Sequence, residues 1–125
     1  MTPRPLRVLL VEDNEVYRST LTLLLHGRDG IEVVGEVADG NAVAAAVAEH
    51  APDVVVMDYR LPGLQGDEVT AAVRVTSPGV AVVCLTAEAT PEERGRVLAA
   101  GASALLEKGC STAEIVEAIR SAGAP

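Results

Sequence analysis

Residues 53–63 read Asp53-Val54-Val55-Val56-Met57-Asp58-Tyr59-Arg60-Leu61-Pro62-Gly63. Four apolar residues stand in a row, three of them β-branched, with no polar position between them. A strand with one wet face alternates; this one does not, so it reads as a central strand of a parallel sheet covered by helices on both sides. Pro62-Gly63 then marks a loop. Asp58 therefore sits where the strand leaves the sheet, beyond its apolar interior.

Working outward from this run, similar ones recur roughly every 25 residues, at Arg7–Val11, Ile31–Val37, Asp53–Met57, Val80–Leu85 and Ser103–Leu106. Each is followed by a helical-looking segment. Five strands in β-α alternation with right-handed crossovers predict an α/β three-layer sandwich: a five-stranded parallel sheet in the order 2-1-3-4-5, with five helices. Leu21, Leu24 and Leu25 give the first helix its apolar side, and Gly27 with Gly30 closes it. Thr90-Pro91-Glu92-Glu93 offers a capping threonine and a proline at the first helical position; Ser111-Thr112-Ala113-Glu114 reads as a capping box. The Ala42–Ala48 run reads as helix packing.

The whole fits one domain: the chain has 125 residues, 49 % of them hydrophobic and 22 % charged. No stretch approaches the ~20 apolar residues of a membrane span, and Glu12-Asp13 interrupts the first apolar run too early for a signal peptide. A cytoplasmic protein with no membrane partner is expected. The formal net charge of −8 argues against direct binding to nucleic acid by this chain. Cys84 and Cys110 have neither disulfide-framework nor metal spacing, and Cys84, inside an apolar run, reads as a buried thiol.

The strand order brings particular residues to one rim. Strand one runs into Glu12 and Asp13, strand three into Asp58, strand four into Thr86 and strand five into Lys108, the chain's one lysine. Two carboxylates about 5 Å apart repel by roughly 3 kcal/mol at an effective dielectric near 20. Three on one rim would hold on to a proton or take up a cation. Oxygen ligands without His or Cys suit Mg²⁺, with Mn²⁺ as the alternative ion. With Lys108 and the Thr86 hydroxyl facing the same place, the set is equipped for phosphoryl transfer onto Asp58. Taken singly, each residue has a plainer reading: Asp13-Asn14 as a helix cap, Asp58 as a loop carboxylate, Thr86 as a capping hydroxyl, Lys108 as a surface lysine. Those readings would all have to hold together.

Val8-Leu9-Leu10-Val11-Glu12-Asp13-Asn14, Met57-Asp58-Tyr59-Arg60-Leu61-Pro62-Gly63, Leu85-Thr86-Ala87 and Leu106-Glu107-Lys108 resemble the receiver domain of bacterial two-component response regulators. The resemblance runs over nearly the whole chain, with residues 1–122 as the receiver and 123–125 as a tail or the start of a linker. It implies that Asp58 accepts a phosphoryl group from the phosphohistidine of a sensor histidine kinase. It also implies Mg²⁺ bound by Asp13, Asp58 and the main-chain carbonyl of Arg60, with Glu12 acting through water. Lys108 would contact the phosphoryl group. Thr86 would move toward it and change the face formed by helix four, strand five and helix five. Such a protein is a phosphoacceptor that assists its own phosphorylation and dephosphorylation rather than an enzyme.

The sequence departs from the family pattern at Leu105, where the family usually has a Tyr or Phe that turns inward on activation. It departs again at Gly109, often Pro in the family, where a trans bond is expected. The run Gly101-Ala102-Ser103-Ala104-Leu105-Leu106-Glu107-Lys108 resembles the branch with a C-terminal helix-turn-helix. A transcriptional output is therefore expected, reached through a DNA-binding domain outside this chain, together with a homodimer formed on phosphorylation. Arg60 and Glu88, each two residues past a site residue, are expected to pair over the pocket and screen water from the phosphoaspartate. Tyr59 packs at the pocket edge or against the third helix, and His26 and His50 end helices away from the rim.

Two other readings remain. One is a receiver-shaped interaction module that does not use phosphorylation, which Leu105 keeps open. The other is a small aspartyl-phosphate hydrolase, which would want an Asp where Arg60 stands. A flavodoxin would need a phosphate-cradling loop where Glu12-Asp13-Asn14-Glu15 would repel FMN phosphate, and a P-loop would need Gly-x-x-x-x-Gly-Lys, whereas the one lysine is Lys108.

Overall fold

Val54, Val55, Val56 and Met57 are all buried, because their strand lies in the middle of a sheet with helices on both faces. The computed structural model describes residues 4–124. Within them the strands are β1 (Leu6–Val11), β2 (Ile31–Val37), β3 (Val54–Asp58), β4 (Ala81–Thr86) and β5 (Ala104–Glu107). The helices are α1 (Glu15–Leu25), α2 (Val43–His50, after a 3₁₀ turn at Gly40–Ala42), α3 (Gly66–Thr76), α4 (Pro91–Ala99) and α5 (Thr112–Ala122). All strand pairings are parallel and the order is β2-β1-β3-β4-β5, as expected from the sequence. The tail expected at 123–125 begins with Gly123, which ends α5; Pro125 lies outside the described residues.

The period of two along each strand divides the core. Leu9, Val11, Val55, Met57, Val82 and Cys84 point to one side, where Val43, Val47, Val69, Val73 and Val97 meet them from α2, α3 and α4. Val8, Leu10, Val54, Val56, Val83 and Leu85 point to the other, against Leu21 and Leu25 of α1 and Ile115, Val116 and Ile119 of α5. Each such Val or Leu contributes about 1.5–3 kcal/mol when fully withdrawn from water. By the same parity Glu12 and Asp58 continue the α1/α5 side, while Tyr59, 1 % exposed, turns into the α2–α4 side.

Three strands run one residue nearer the C-terminal rim than their sequence patterns predict. Asp53 stands just before β3, and its carboxylate, which accepts from the Arg7 amide at 2.9 Å and pairs with Arg4 at 2.7 Å, fastens the strand's start. The Val80 amide closes a turn onto Ser77 instead of entering β4. The Ser103 amide bonds Val82 just before β5 begins. Leu24 is a correction of another kind. Leu21 and Leu25, four apart, face the sheet, and Leu24 lies to the flank, 42 % exposed. Thr90 and Ser111 both cap their helices in full capping boxes, with Pro91 opening α4. The Ala42–Ala48 run supplies α2, whose Val43, Ala46 and Val47 are buried.

Candidate functional site

Asp58 and Thr86 are the last residues of β3 and β4, and Glu12 directly follows β1. Because β3 lies between β1 and β4, these ends are neighbours. One oxygen from each of Glu12, Asp13 and Asp58 lies within 4.8 Å of the others. Glu12 and Asp58 are buried, 2 % and 8 % exposed, whereas Asp13 is open to solvent.

Lys108 enters from the end of β5, its amide bonded to the Thr86 carbonyl at 2.7 Å. Its ammonium donates to Glu12 Oε1 and, at 3.1 Å, to Asp58 Oδ2. Burial by itself would lower the affinity of Lys108 for its proton. The hydrogen bond to Glu12 and the charge of Asp58 outweigh it, and the pKa is raised from 10.5. The other oxygens are also engaged. The Asn14 amide donates to Glu12 Oε2 at 3.2 Å, and the Arg60 amide to Asp58 Oδ1 at 3.2 Å. Arg18 holds the Glu12 main chain through its carbonyl at 2.7 Å.

The cap of α1 is Asn14, whose side chain accepts from the Tyr17 amide at 2.9 Å. Asp13 is therefore not spent on capping, and among the described residues it has no ion-pair partner. The plainer reading of the Asp13-Asn14 pair is thus met by its second residue alone. The hydroxyl of Thr86, 1 % exposed, donates to the Glu88 carbonyl at 3.0 Å. It is directed at the loop between β4 and α4, not at the carboxylates.

Two residues at the site were not singled out in the sequence. Tyr17 presents its ring to Lys108, with Nζ 4.5 Å from the centroid. Glu93 is the second, and it corrects the expected Arg60–Glu88 pair. The guanidinium of Arg60 bonds Glu93 Oε1 at 2.9 Å and reaches only the main-chain carbonyl of Glu88, at 3.5 Å. In the sequence Glu93 reads only as an acid of the helix's first turn, and its pairing with Arg60 depends on how α4 sits over the loop after β3. His26 and His50 lie away from the rim: His26 Nδ1 accepts from the Val33 amide, and His50 packs on Gly35. Leu105 is buried among the α2–α4 side chains, and the Lys108–Gly109 bond is trans.

The family model described as the response regulator receiver domain matches residues 8–120. The chain is a response-regulator receiver domain. The receiver is 37 % identical to the response regulator GacA of Pseudomonas viridiflava over 92 % of this chain and 54 % of that protein. It is 36 % identical to the response regulator UvrY of Escherichia coli over 93 % of this chain and 53 % of that protein. The receiver thus spans about half the length of these relatives. Among solved structures, the signal receiver domain of NarL from Mycobacterium tuberculosis superposes with a TM-score of 0.91 at 33 % identity, covering 97 % of this chain and 98 % of that one. The oxygen-only set of Glu12, Asp13 and Asp58, with Asp13 unpaired and accessible, fits a hard divalent cation and lacks the nitrogen or sulfur that zinc prefers.

Proposed function

We propose that Asp58 is the phosphoacceptor of this receiver, taking its phosphoryl group from the phosphohistidine of a sensor kinase. What carries the reading is the environment of one carboxylate: Asp58 closes a buried strand, has Lys108 on Oδ2 at 3.1 Å, and shares a 4.8 Å cluster with Glu12 and Asp13. One Asp58 oxygen attacks phosphorus as the P–N bond of the phosphohistidine breaks, and the imidazole leaves with that electron pair. Asp13, Asp58 and the main-chain carbonyl of Arg60 would hold Mg²⁺ (Mn²⁺ in its place), with Glu12 acting through water. The ion, when bound, offsets the negative charge that otherwise keeps a phosphoryl group from a carboxylate. Lys108 gives up its bond to Asp58 and follows the charge onto a phosphoryl oxygen. Thr86 releases the Glu88 carbonyl to donate to another, which changes the loop leading into α4.

Residues 1–122 form the receiver in this reading, and 123–125 a tail or linker start. Its output is transcriptional, through a DNA-binding domain outside this chain, as the description of the 34 % identical NarL as a transcriptional regulatory protein supports. A second copy is a further partner. Val16 and Leu23, 77 % and 84 % exposed on α1, offer it an apolar face. The reading places the protein in the cytoplasm, where sensor kinases present their phosphohistidine.

Intact mass after incubation with acetyl phosphate and Mg²⁺ tests the assignment. One phosphoryl adduct is expected, absent in Asp58→Ala and absent with chelator. An adduct that persists in Asp58→Ala, or none in the wild type even with beryllofluoride as a mimic, overturns it and leaves a receiver-shaped interaction module.

A further inference from the structure

The Lys108 ammonium has three N–H bonds, and two of them are accounted for by Glu12 and Asp58. On a further side lies the ring of Tyr17, 4.5 Å from Nζ to the centroid. The ring is not there by chance of a floppy side chain. Tyr17 lies in the first turn of α1, its amide held by Asn14, and it is half-buried against the α1/α5 core, as Leu106 and Cys110 are. Burial raises the Tyr17 phenol above its ordinary 10.0, so the ring stays neutral.

We propose that Tyr17 is a positioning residue for Lys108, its ring face holding the ammonium beside Asp58 while allowing it to pivot to an incoming phosphoryl oxygen. The inference rests on the phosphoacceptor reading above. As the phosphoryl group arrives, the Asp58 oxygen that bonds phosphorus loses its charge, and the negative charge lies on oxygens farther out. Lys108 has to follow it. A hydrogen-bond acceptor in place of the ring would tether the third N–H to one direction, and a third carboxylate would compete with the phosphoryl group. The π face attracts the cation without fixing the direction of any N–H, and it keeps water off one side. Tyr17 therefore steadies Lys108 both before and after the transfer.

The test compares wild type, Tyr17→Phe and Tyr17→Leu by phosphorylation time courses with acetyl phosphate and Mg²⁺. Tyr17→Leu is expected to slow the maximal rate about three- to tenfold, with little change in the half-saturating acetyl phosphate concentration. Tyr17→Phe, which keeps the ring, recovers most of that rate. A second readout does not depend on the leucine variant folding well. Lys108 is the chain's one lysine, so its ε-methylene gives a single carbon signal that identifies the attached protons. Under the ring face these protons lie upfield of those of an ordinary lysine in wild type and Tyr17→Phe. An ordinary position in the wild type overturns the inference, as does a phosphorylated wild type matched in rate by a folded Tyr17→Leu. A wild type that takes no phosphoryl group overturns the phosphoacceptor reading itself.

Discussion

Arg60 and Thr90 meet at one carboxylate oxygen: Glu93 Oε1 accepts the guanidinium at 2.9 Å and the Thr90 amide at 3.0 Å. The residue two positions after Asp58 is thereby fastened to the capping box that starts α4. Loop and helix start are one unit, although 30 positions in sequence separate Arg60 from Thr90. On the reading that this side chain screens water from the phosphoaspartate, Arg60→Ala is expected to shorten the phosphoryl lifetime about two- to fivefold. Glu93→Gln should shorten it in the same direction by releasing the guanidinium. Dephosphorylation followed by intact mass decides, and an unchanged lifetime in Arg60→Ala removes the covering role.

The same carboxylate fixes a pH dependence. The hydrogen bond from the Thr90 amide, followed by that from Arg60, holds the Glu93 carboxyl below its ordinary 4.5. The folded value is depressed, so this contribution to stability is fully present above the unfolded value of about 4.5 and is lost as pH falls through the folded one. The Thr90 amide resonance should therefore shift with a midpoint below 4.5. A midpoint at or above 4.5 contradicts the arrangement.

The crowding of Glu12, Asp13 and Asp58 has a cost in the absence of a cation, which Lys108 offsets only for the two buried members. Asp13→Asn is expected to raise stability without Mg²⁺ by about 1 kcal/mol, because it removes the repulsion of the solvent-exposed member. On the reading that Asp13 is a metal ligand, Mg²⁺ is expected to raise the Tm of the wild type and not that of Asp13→Asn. A melting series with and without Mg²⁺ reads both effects. An unchanged Mg²⁺ response would show that Asp13 is not a ligand.

Two glycines separate conformational cost from close approach. A Cβ on Gly66 would lie 2.8 Å from the Tyr59 Cα, backbone that cannot turn aside, in the loop that carries Arg60. Gly66→Ala should cost about 1–3 kcal/mol. Gly95, inside α4, has nothing within 4 Å of such a Cβ, and Gly95→Ala should gain about 0.5–1 kcal/mol from helix propensity. Urea denaturation of the two variants gives opposite signs, and equal signs would show that the loop yields.

The fold was legible because its signals are local. A run such as Val54 to Met57 is buried on both faces whatever surrounds it, and the boxes at Thr90 and Ser111 cap their own helices. The rim residues could be read for a related reason: in a parallel sheet, chain order and strand order together bring Asp58 beside Glu12. What could not be read depends on where helices sit over the sheet. Leu24 carries the same apolar signal as Leu25, and only the rotation of α1 distinguishes them. Glu88 has the better spacing for Arg60, yet Glu93 receives it, since α4 turns Glu93 inward to its cap. Tyr17 had no spacing signal at all, because its partner Lys108 lies 91 positions away and meets it only because α1 starts just after β1, at the rim that Lys108 reaches from the end of β5.

The placement of the one lysine has a practical side. An endoproteinase that cuts only after lysine has a single target bond in this sequence, Lys108–Gly109, at the rim of the acidic pocket. While the ammonium is clasped by Glu12, Asp58 and Tyr17, that bond is withheld from a protease that must draw the lysine into its own specificity pocket. Cleavage into two fragments thus clocks how often the segment around Lys108 opens, and a phosphoryl group that takes over the ammonium should slow the clock without any label being attached.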